Sequence, residues 1–415
     1  MSQEENNNQK DSMVILHISD LHFGIADEKN LSVRYIAGRQ EEMIDSLINT
    51  ISGIAEQDPQ WKPDIIAVSG DIAWTGKPEE YDLYIDKFVV PICEVLNIER
   101  DRIITCPGNH DIIRENVYRV NRYQRGMKGI DADVPDLTIE QIDKQAYFFQ
   151  GYVDKLLDGN GKNLCKKYEF PEWPWATFVT LNSAWDCRNN DDEGRLRVGL
   201  PILEDILRDV KDQWVITLFH HPHIEVWDNE RLADGEYEAR RCRWLHDSED
   251  FNQNRKKRVF ASYVSDKSCI ILNGHIHVEI EPQLIQRALH FIDGTIYSND
   301  TLQYHCRLIK LDSKGGTASY RNLRRTLGSN DRIWENTGGK TLELFHPDVV
   351  KTKEEQKQMD YENNNMNLIR TTIMELLSKT ISPTDEFNHK RSMVAGENME
   401  MKEEHVLNLR KGDDK

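Results

Sequence analysis

Short apolar runs that end in histidine, aspartate or asparagine are the feature of this sequence that most constrains its fold. One such run ends at Cys106, and Pro107-Gly108-Asn109-His110-Asp111 follows it directly. Apolar runs of this length that stop at Pro and Gly are typical of buried strands. An amide oxygen beside an imidazole at a strand end suits a site that binds a metal and transfers a proton. Taken alone, Gly-Asn-His-Asp also fits an ordinary turn.

The same apolar pattern predicts strands along most of the chain, separated by helical segments. The predicted strands are residues 13–19, 64–69, 102–106, 176–181, 213–219, 268–272, 289–293 and 302–310, and the regions around Tyr320 and Leu342 are further candidates. Helical spacing of apolar residues predicts helices at 39–56, at 78–96 with a kink at Pro91, and at 201–211. Residues 113–175 are predicted to be an insertion with helical pieces at 115–126 and 138–157. Strands that alternate with helices indicate an α/β fold.

Five of the predicted strands end in side chains that can bind a metal ion. These side chains are Asp20, His22, Asp71, Asn109, His110, His220, His275 and His277. In open α/β sheets ligands gather at the carboxyl ends of strands, so these groups are expected to converge. The candidate ligands are carboxylate, imidazole and amide groups, with no thiolate. This set suits an Mn, Fe or Zn ion, and it differs from a structural zinc site built of cysteines and from an all-oxygen calcium site. Apart from His110 there are seven candidate ligands, which fit two ions that share a carboxylate.

Each candidate ligand taken singly has an ordinary structural explanation. An aspartate after a strand can cap a turn, and a lone histidine is more often structural than a ligand. At residues 220–223 the sequence His-His-Pro-His leaves His221 and His223 as competitors of His220. His17 lies at the wrong phase of the first strand, so it is expected to be a core or sheet residue. Only the complete set of residues, in this order along the chain, indicates a metal site.

As an ordered set, these motifs resemble the calcineurin-like (binuclear) metallophosphoesterases. The resemblance spans residues 13–310. The matching motifs are Asp20-Leu21-His22, Gly70-Asp71, Gly108-Asn109-His110-Asp111, His220-His221-Pro222 and Gly274-His275-Ile276-His277. The resemblance to this family implies an α/β fold with two facing mixed β-sheets flanked by helices, in four α-β-β-α layers.

The resemblance also implies a role for each motif residue. Asp20, His22 and His277 would hold one metal ion, and Asn109, His220 and His275 the second, with Asp71 bridging both. His110 would be the catalytic histidine on the leaving-group side, and Asp111 would orient a loop or a histidine. Two further residues, Arg114 and His221, are candidate substrate contacts. For Arg114 an exposed helix face is the alternative, and for His221 a supporting position behind the ligands.

Two divalent ions with these ligands imply hydrolysis of a phosphoester by a hydroxide that bridges the metals. Mn is the expected metal, with Fe or Zn as alternatives. The stretch from Gly70 to Gly76 lacks the second Asp and the Arg of the protein phosphatase branch, and Trp74 and Thr75 stand there instead. That change argues against a Ser/Thr phosphatase and removes the branch's usual partner of the catalytic histidine. We expect a phosphodiesterase acting on a nucleotide or nucleic acid. The alternatives are a phosphomonoesterase and a non-catalytic metal-binding scaffold in a defence or repair complex.

Charge, composition and the chain ends restrict partners and location. The formal charge of −18 excludes a general polyanion binder, so nucleic acid would need a local basic patch or a metal. No signal peptide and no apolar run of about 18 residues are found, and the seven cysteines are scattered, which predicts a cytoplasmic protein without a membrane span. We predict a disordered segment at 1–12, a catalytic domain at 13–345, and a tail at 346–415. The tail's amphipathic helix, 366–377, is a candidate contact for a protein partner or a second copy, with packing on its own domain as the alternative.

Overall fold

Two mixed β-sheets lie at the centre of the part of the chain that the computed structural model describes. The described residues are 9–25, 33–113, 146–184, 187, 206–207, 210, 213–222, 264, 267–285, 287–297, 303–326 and 334–344. Their strands are β1 (Ser12–Ile18), β2 (Ile65–Val68), β3 (Ile103–Thr105), β4 (Lys166–Glu169), β5 (Ala176–Thr180), β6 (Trp214–Leu218), β7 (Ile270–Asn273), β8 (Gln283–Ile285), β9 (Ala288–Ile292), β10 (Gln303–Asp312), β11 (Thr317–Thr326), β12 (Glu335–Thr337) and β13 (Thr341–Glu343).

The first sheet has the strand order β12-β11-β10-β1-β2-β3, and β13 also pairs with β11. Strands β1, β2 and β3 run parallel to one another, whereas β10 pairs antiparallel with β1. The second sheet has the order β4-β5-β6-β7-β9-β8, with a parallel centre and antiparallel edge strands. The predicted α/β fold of two facing mixed sheets with flanking helices is therefore confirmed.

Strand β1 shows why both faces of the first sheet are covered. Met13 and Ile15 belong to a core shared with Phe178, Ile216 and Leu272 of the second sheet. The alternate residues of β1, which are Val14, Leu16 and Ile18, belong to another apolar cluster that includes Met43, Ile44 and Leu47 of the first helix. Side chains alternate between the two faces of a strand, so each face of β1 contributes to a separate core. A strand buried on both faces reads as a continuous apolar run, as this one does.

Helices α1 (Val33–Gln57), α2 (Pro78–Tyr84), α3 (Val90–Leu96) and α4 (Gln150–Leu156) are the α-helices of more than one turn in the described residues. A π-helical turn at Ile85–Val89 joins α2 to α3, so the helix runs on to Leu96 as predicted. Pro91 has no backbone N–H and its ring crowds the preceding turn, which the wider π-turn accommodates. No described helix has the length and apolar character needed to cross a bilayer.

Three edge strands were not predicted from the sequence. Strands β4, β8 and β12 are only three or four residues long, and none contains more than two consecutive apolar residues, so they lack the apolar run that predicts a strand. Because β4 pairs with β5, residues 166–169 belong to the second sheet and not to a helical insertion. Within 138–157 the described part holds a short 3₁₀ segment, Ala146–Phe149, followed by α4. The predicted helices at 115–126 and 366–377 lie outside the described residues.

Residues 9–12 differ from the predicted disordered segment. The backbone N–H of Lys10 donates to the Glu172 carbonyl at 2.8 Å, and Nε1 of Trp175 donates to the Lys10 carbonyl at 2.8 Å. Nε1 of Trp173 donates to the Ser12 carbonyl at 2.9 Å. The turn at residues 171–175 thus holds the start of β1, a contact across the sequence that local composition does not encode.

Candidate metal centre

The carboxyl ends of parallel strands of both sheets meet at one place, and the motif residues lie there. Asp20 and His22 follow β1, Asp71 follows β2, and His220 follows β6. The remaining motif residues follow β3 and β7: Asn109, His110, His275 and His277. Strands β1 to β3 belong to one sheet and β6 and β7 to the other, so the site joins the two sheets.

Asp71 lies between two groups of candidate ligands. Its Oδ2 is 3.4 Å from Nε2 of His22 and 3.2 Å from Nε2 of His220. On one side, Oδ1 of Asp20 is 3.2 Å from Nε2 of His277. On the other side, Nε2 of His220 is 3.0 Å from Oδ1 of Asn109. Nδ1 of His275 completes this side, 3.2 Å from the same nitrogen of His220.

Backbone carbonyls fix the orientation of two of these imidazole rings. Nδ1 of His22 lies 2.8 Å from the Tyr297 carbonyl, and Nδ1 of His220 lies 2.8 Å from the Ser69 carbonyl. A carbonyl can only accept, so each Nδ1 carries a proton and Nε2 is the nitrogen that faces the site. Nε2 of His22 is buried and makes no hydrogen bond with any described residue. Such a tautomer is what a metal-binding histidine requires.

Five of the seven candidate ligands have left-handed backbone conformations. Their φ angles are 56° for Asp20, 50° for His22, 51° for Asp71, 76° for His275 and 52° for His277. For a residue other than glycine this conformation costs about 1–2 kcal/mol. Strain concentrated in one cluster is characteristic of functional sites, where the surrounding structure maintains it.

Two motif glycines allow the loops to approach the carboxylates. A Cβ built on Gly108 would stand 2.2 Å from Oδ1 of Asp71, and a Cβ built on Gly274 would stand 2.6 Å from Oδ2 of Asp20. Any side chain at either position would displace a carboxylate from the centre of the site. The glycines are therefore part of the site's geometry and not only of its turns.

Opposite charges in close contact determine the electrostatics. Burial opposes ionisation of Asp20, but the imidazoles of His220 and His277 outweigh it and lower its pKa to about 2. Burial also opposes ionisation of Asp71, and His220, His110 and His22 together lower its pKa well below the usual range. Burial works against the charged form of His220, yet Asp71 and Asp20 raise its pKa to about 9. Both carboxylates are thus kept ionised, which is the state that binds cations.

His110 and Asp111 have different surroundings. The backbone N–H of His110 donates to Oδ1 of Asp71 at 2.7 Å, and its Nδ1 lies 2.9 Å from the Trp74 carbonyl. Asp111 is fully buried and accepts hydrogen bonds from the backbone N–H groups of Ile72, Ala73 and Gly108 and from the Tyr81 hydroxyl. Burial and the nearby Asp71 raise the pKa of Asp111 to about 7. We infer that Asp111 joins the loop after β2 to the loop after β3.

The two candidate substrate contacts have different outcomes. His221 is buried, with Nδ1 2.8 Å from Oγ of Ser183 and Nε2 3.6 Å from Sγ of Cys187. Its ring centroid is 4.4 Å from that of His275, so it supports a candidate ligand from behind. Burial, followed by the charges of His275 and His220, lowers the pKa of His221 well below its usual value. Arg114 and the competing His223 lie outside the described residues.

A buried network beneath the site was missed by sequence reasoning. Nδ1 of His17 is 2.7 Å from Oδ2 of Asp293, and its Nε2 is 2.9 Å from Oγ of Ser69. Asp293 also contacts His305 and Arg307 of β10. Asp, His and Ser stand in the order of a hydrolase triad, but all three are fully buried, which excludes attack on a substrate. A weak signal was present, because Asp293 ends a predicted strand like the other carboxylates.

The donor set fits two divalent ions. Ligand atoms lie within 4.8 Å of one another in each of four groups: Asp20 with His22 and His277; Asp20 with Asp71 and His220; His22 with Asp71 and His110; and His220 with His221 and His275. Two ligands of one zinc-sized ion are at most roughly 4.4 Å apart, so these groups need only small adjustments. A shared carboxylate and imidazoles of fixed tautomer are the chemistry such ions require.

The family model of the calcineurin-like phosphoesterases matches residues 13–279 of this sequence. That range includes all five motifs and most of the described strands and helices. The chain belongs to this family of metal-dependent hydrolases that act on phosphoester bonds. Glycerophosphodiester phosphodiesterase GpdQ of Enterobacter lignolyticus is 32% identical to it over 100 residues, or 24% of this chain. That match spans only 30% of the relative's own length.

Two solved structures are similar over most of the chain, at low sequence identity. The calcineurin-like phosphoesterase YfkN of Bacillus subtilis is 12% identical with a TM-score of 0.29, over 88% of this chain and 99% of that one. A 5′-nucleotidase of Candida albicans is 11% identical with a TM-score of 0.32, over 90% of this chain and 56% of that one. Membership of the family rests on the family match.

Proposed function

We propose that the protein is a two-metal phosphodiesterase and that the motif residues form its active site. The observation that carries this proposal is the position of Asp71. One carboxylate oxygen lies 3.4 Å from His22 and 3.2 Å from His220, which belong to the two separate ligand groups. A carboxylate shared in this way suits a pair of ions better than a single ion. Asp20, His22 and His277 would hold one ion, and Asn109, His220 and His275 the other.

The bound ions would supply positive charge for the phosphate oxygens and lower the pKa of water towards neutrality. The side chains of the protein supply the rest. Asp20 and Asp71 remain ionised at neutral pH because the surrounding imidazoles lower their pKa values. Two bound metal cations would also explain how a chain with a formal charge of −18 accepts an anionic substrate.

His110 is the proposed acid for the leaving group. Its Nδ1 donates to the Trp74 carbonyl, so an acid at this position must carry its second proton on Nε2. As water adds to phosphorus, the P–O bond to the leaving group breaks and its electron pair goes to the departing oxygen. That oxygen takes the proton of Nε2 and leaves as an alcohol. Water leaves its oxygen and one hydrogen on the monoester product, and its second proton restores the Nε2–H of His110 through solvent.

A diester is favoured over a monoester by two observations. The partial relative from Enterobacter lignolyticus is by name a glycerophosphodiester phosphodiesterase. The stretch between Gly70 and Gly76 carries Trp74 and Thr75 where protein phosphatases carry Asp and Arg. Nucleotides, nucleic acids and glycerophosphodiesters are the substrate classes to compare.

Two chromogenic esters test the proposal directly. Bis(4-nitrophenyl) phosphate and 4-nitrophenyl phosphate are assayed with Mn, Fe and Zn on the wild type, Asp71→Asn and His110→Ala. Asp82→Asn is the control, because Asp82 pairs with Lys155 in an exposed contact. We expect metal-dependent cleavage of the diester, a loss of at least about 100-fold in Asp71→Asn, and no change in the control.

Each other outcome leads to a different conclusion. A preference for the monoester would identify a phosphatase. Two bound ions without turnover of either ester, or of a cyclic nucleotide, RNA, DNA and glycerophosphocholine, would favour the non-catalytic scaffold. Wild-type protein that binds no divalent ion would overturn the proposal altogether.

A further inference from the structure

Trp74 makes two separate contacts with His110. The indole ring stacks on the imidazole, with ring centroids 4.4 Å apart and an angle of 22° between the planes. The backbone carbonyl of the same residue lies 2.9 Å from Nδ1 of His110. The indole also meets the ring of His22 edge-on, with centroids 5.4 Å apart. One residue therefore touches both the proposed acid and a proposed metal ligand.

The carbonyl contact determines which nitrogen of His110 can react. A backbone carbonyl accepts a hydrogen bond and cannot donate one, so Nδ1 must carry a proton. Nε2 is then the nitrogen that we assign to the substrate. The stacked indole restricts rotation of the imidazole about its χ2 angle, a torsion that is otherwise soft. The carbonyl thus selects the nitrogen, and the ring fixes the plane in which that nitrogen points.

The segment around Trp74 is held firmly enough to act as a support. The backbone N–H of Trp74 donates to the Phe23 carbonyl at 2.9 Å, and Phe23 forms an isolated β-bridge with Ala73. The preceding N–H groups donate to the buried carboxylate of Asp111, as described above. On the other side, the Thr75 N–H donates to Oε2 of Glu80 at 2.9 Å. Loops after β1, β2 and β3 are thus tied together around this tryptophan.

We propose that Trp74 is the positioning residue of His110, which aims Nε2 at the leaving-group oxygen of the substrate. This proposal rests on the proposed function of His110. A tryptophan that served only the core would be buried, whereas Trp74 is half-buried and stacks on a half-buried histidine at the site. Aromatic pairs with this offset, stacked geometry attract each other beyond the effect of burial, which favours one ring orientation.

A pair of substrates that differ only in the leaving group tests this role. Methyl 4-nitrophenyl phosphate releases an acidic phenol that hardly needs protonation, whereas methyl phenyl phosphate releases a weakly acidic phenol that does. We expect Trp74→Leu to lower kcat on the phenyl ester by about 10- to 100-fold, below the 10²–10⁴ typical of general acid catalysis, and to change kcat on the nitrophenyl ester little. Trp74→Phe keeps a flat ring and should retain most activity.

Three controls separate positioning from a structural role. Trp175→Leu removes another half-buried tryptophan, far from the motif loops along the chain, and should affect both esters equally or not at all. Metal content should stay at the wild-type value in Trp74→Leu. In a His110→Ala background, Trp74→Leu should cause no further loss, because residues that act as one unit are not additive.

A spectroscopic measurement tests the proposal without turnover. In ¹⁵N-histidine-labelled wild type, the His110 shifts should report an Nδ1–H held on the Trp74 carbonyl. Trp74→Leu keeps that carbonyl but removes the stacked ring, so the imidazole should leave the plane of this hydrogen bond part of the time and the shifts should move towards an average of tautomers. Equal loss on both esters with unchanged His110 shifts would overturn the positioning role. If the wild type cleaves no phosphoester, the proposed function fails, and the tautomer measurement still decides whether Trp74 holds His110.

Discussion

Gly108 stands so close to Asp71 that a Cβ on it would lie 2.2 Å from Oδ1 of the carboxylate and 2.4 Å from the Asp71 backbone nitrogen. The loop after β3 therefore packs directly on the loop after β2, with no side chain between them. This contact places the His110 N–H on Asp71 as well. A substitution at Gly108 should act on the site and not only on the turn.

Gly108→Ala should displace Asp71 and reduce both metal content and diesterase activity, because the added Cβ meets backbone as well as side-chain atoms. Metal analysis and kcat/KM measure the effect, with an expected loss of at least about tenfold in affinity for metal. Gly53→Ala in α1 is the matched control, since a Cβ there meets nothing within 4 Å. That variant should gain up to about 1 kcal/mol from helix propensity. Normal metal binding in Gly108→Ala would contradict the tight contact.

Tyr81→Phe should destabilise the protein by about 1–2 kcal/mol and lower activity, because it removes a buried hydrogen bond to Asp111. Chemical denaturation and kcat measure the two effects. Tyr84→Phe is the control, a tyrosine on the same helix whose buried hydroxyl makes no hydrogen bond with any described residue. The control should be neutral or slightly stabilising. Equal effects in the two variants would show that Asp111 does not depend on Tyr81.

Asp293→Asn should lower the free energy of unfolding by about 3–5 kcal/mol at neutral pH, because Arg307, His17 and His305 would lose their buried carboxylate. Urea denaturation at pH 7 measures this loss. Asp82→Asn, which breaks an exposed pair with Lys155, should cost less than about 1 kcal/mol.

The stability of the wild type should fall in acid partly through Asp293. Burial opposes its ionisation, but His17 and Arg307 outweigh burial and hold the pKa well below the usual range. An unfolded aspartate titrates at about pH 3.9, so this contribution is complete above about pH 4 and is lost as the pH falls further. Thermal unfolding between about pH 2 and 5 should show a shallower acid decline in Asp293→Asn than in the wild type. Identical slopes would rule out the predicted shift.

Removal of metal should destabilise the protein, because Asp20 and Asp71 would lose the cations that balance their charge. The five candidate ligands with left-handed backbone conformations would also lose the ion that they bind. A ligand at 1,000 times its Kd stabilises the native state by about 4 kcal/mol. Thermal melts before and after chelation, and after Mn is restored, measure the shift. Asp71→Asn should show a much smaller shift on chelation. If chelation lowers the melting temperatures of the wild type and of Asp71→Asn equally, the stabilising metal is not bound at Asp71.

The sequence predicted the central strands and the convergence of the motif residues, because both depend on local patterns. Each apolar run ends where its loop begins, and parallel strands bring those loops to one edge. The pairing of His17 with Asp293 could not be predicted in this way. It requires the antiparallel register that sets His17 opposite Arg307, and the contact of β1 with the other sheet.

The left-handed conformations of the ligands and the stacking of Trp74 were also beyond the sequence. Asp and His are enriched among residues with left-handed geometry, but which of them adopt it depends on the surrounding structure and not on composition. Trp74 could be seen to replace a charged residue, but its contact with His110 depends on the β-bridge that fixes the loop. Such features follow from tertiary contacts and not from local propensity.

The pairing of β1 with β10 has a consequence for synthesis of the chain. Ser12 pairs with Asp312 and His17 with Arg307, while β2 covers the other edge of β1. A ribosome that adds about 5–20 residues per second needs about 15–60 s to make the stretch between the two strands. During that time β1 has an open edge, the kind of edge that invites pairing with other chains. A nascent chain that ends before residue 303 would carry every candidate ligand and still lack the strand that closes the sheet beneath them.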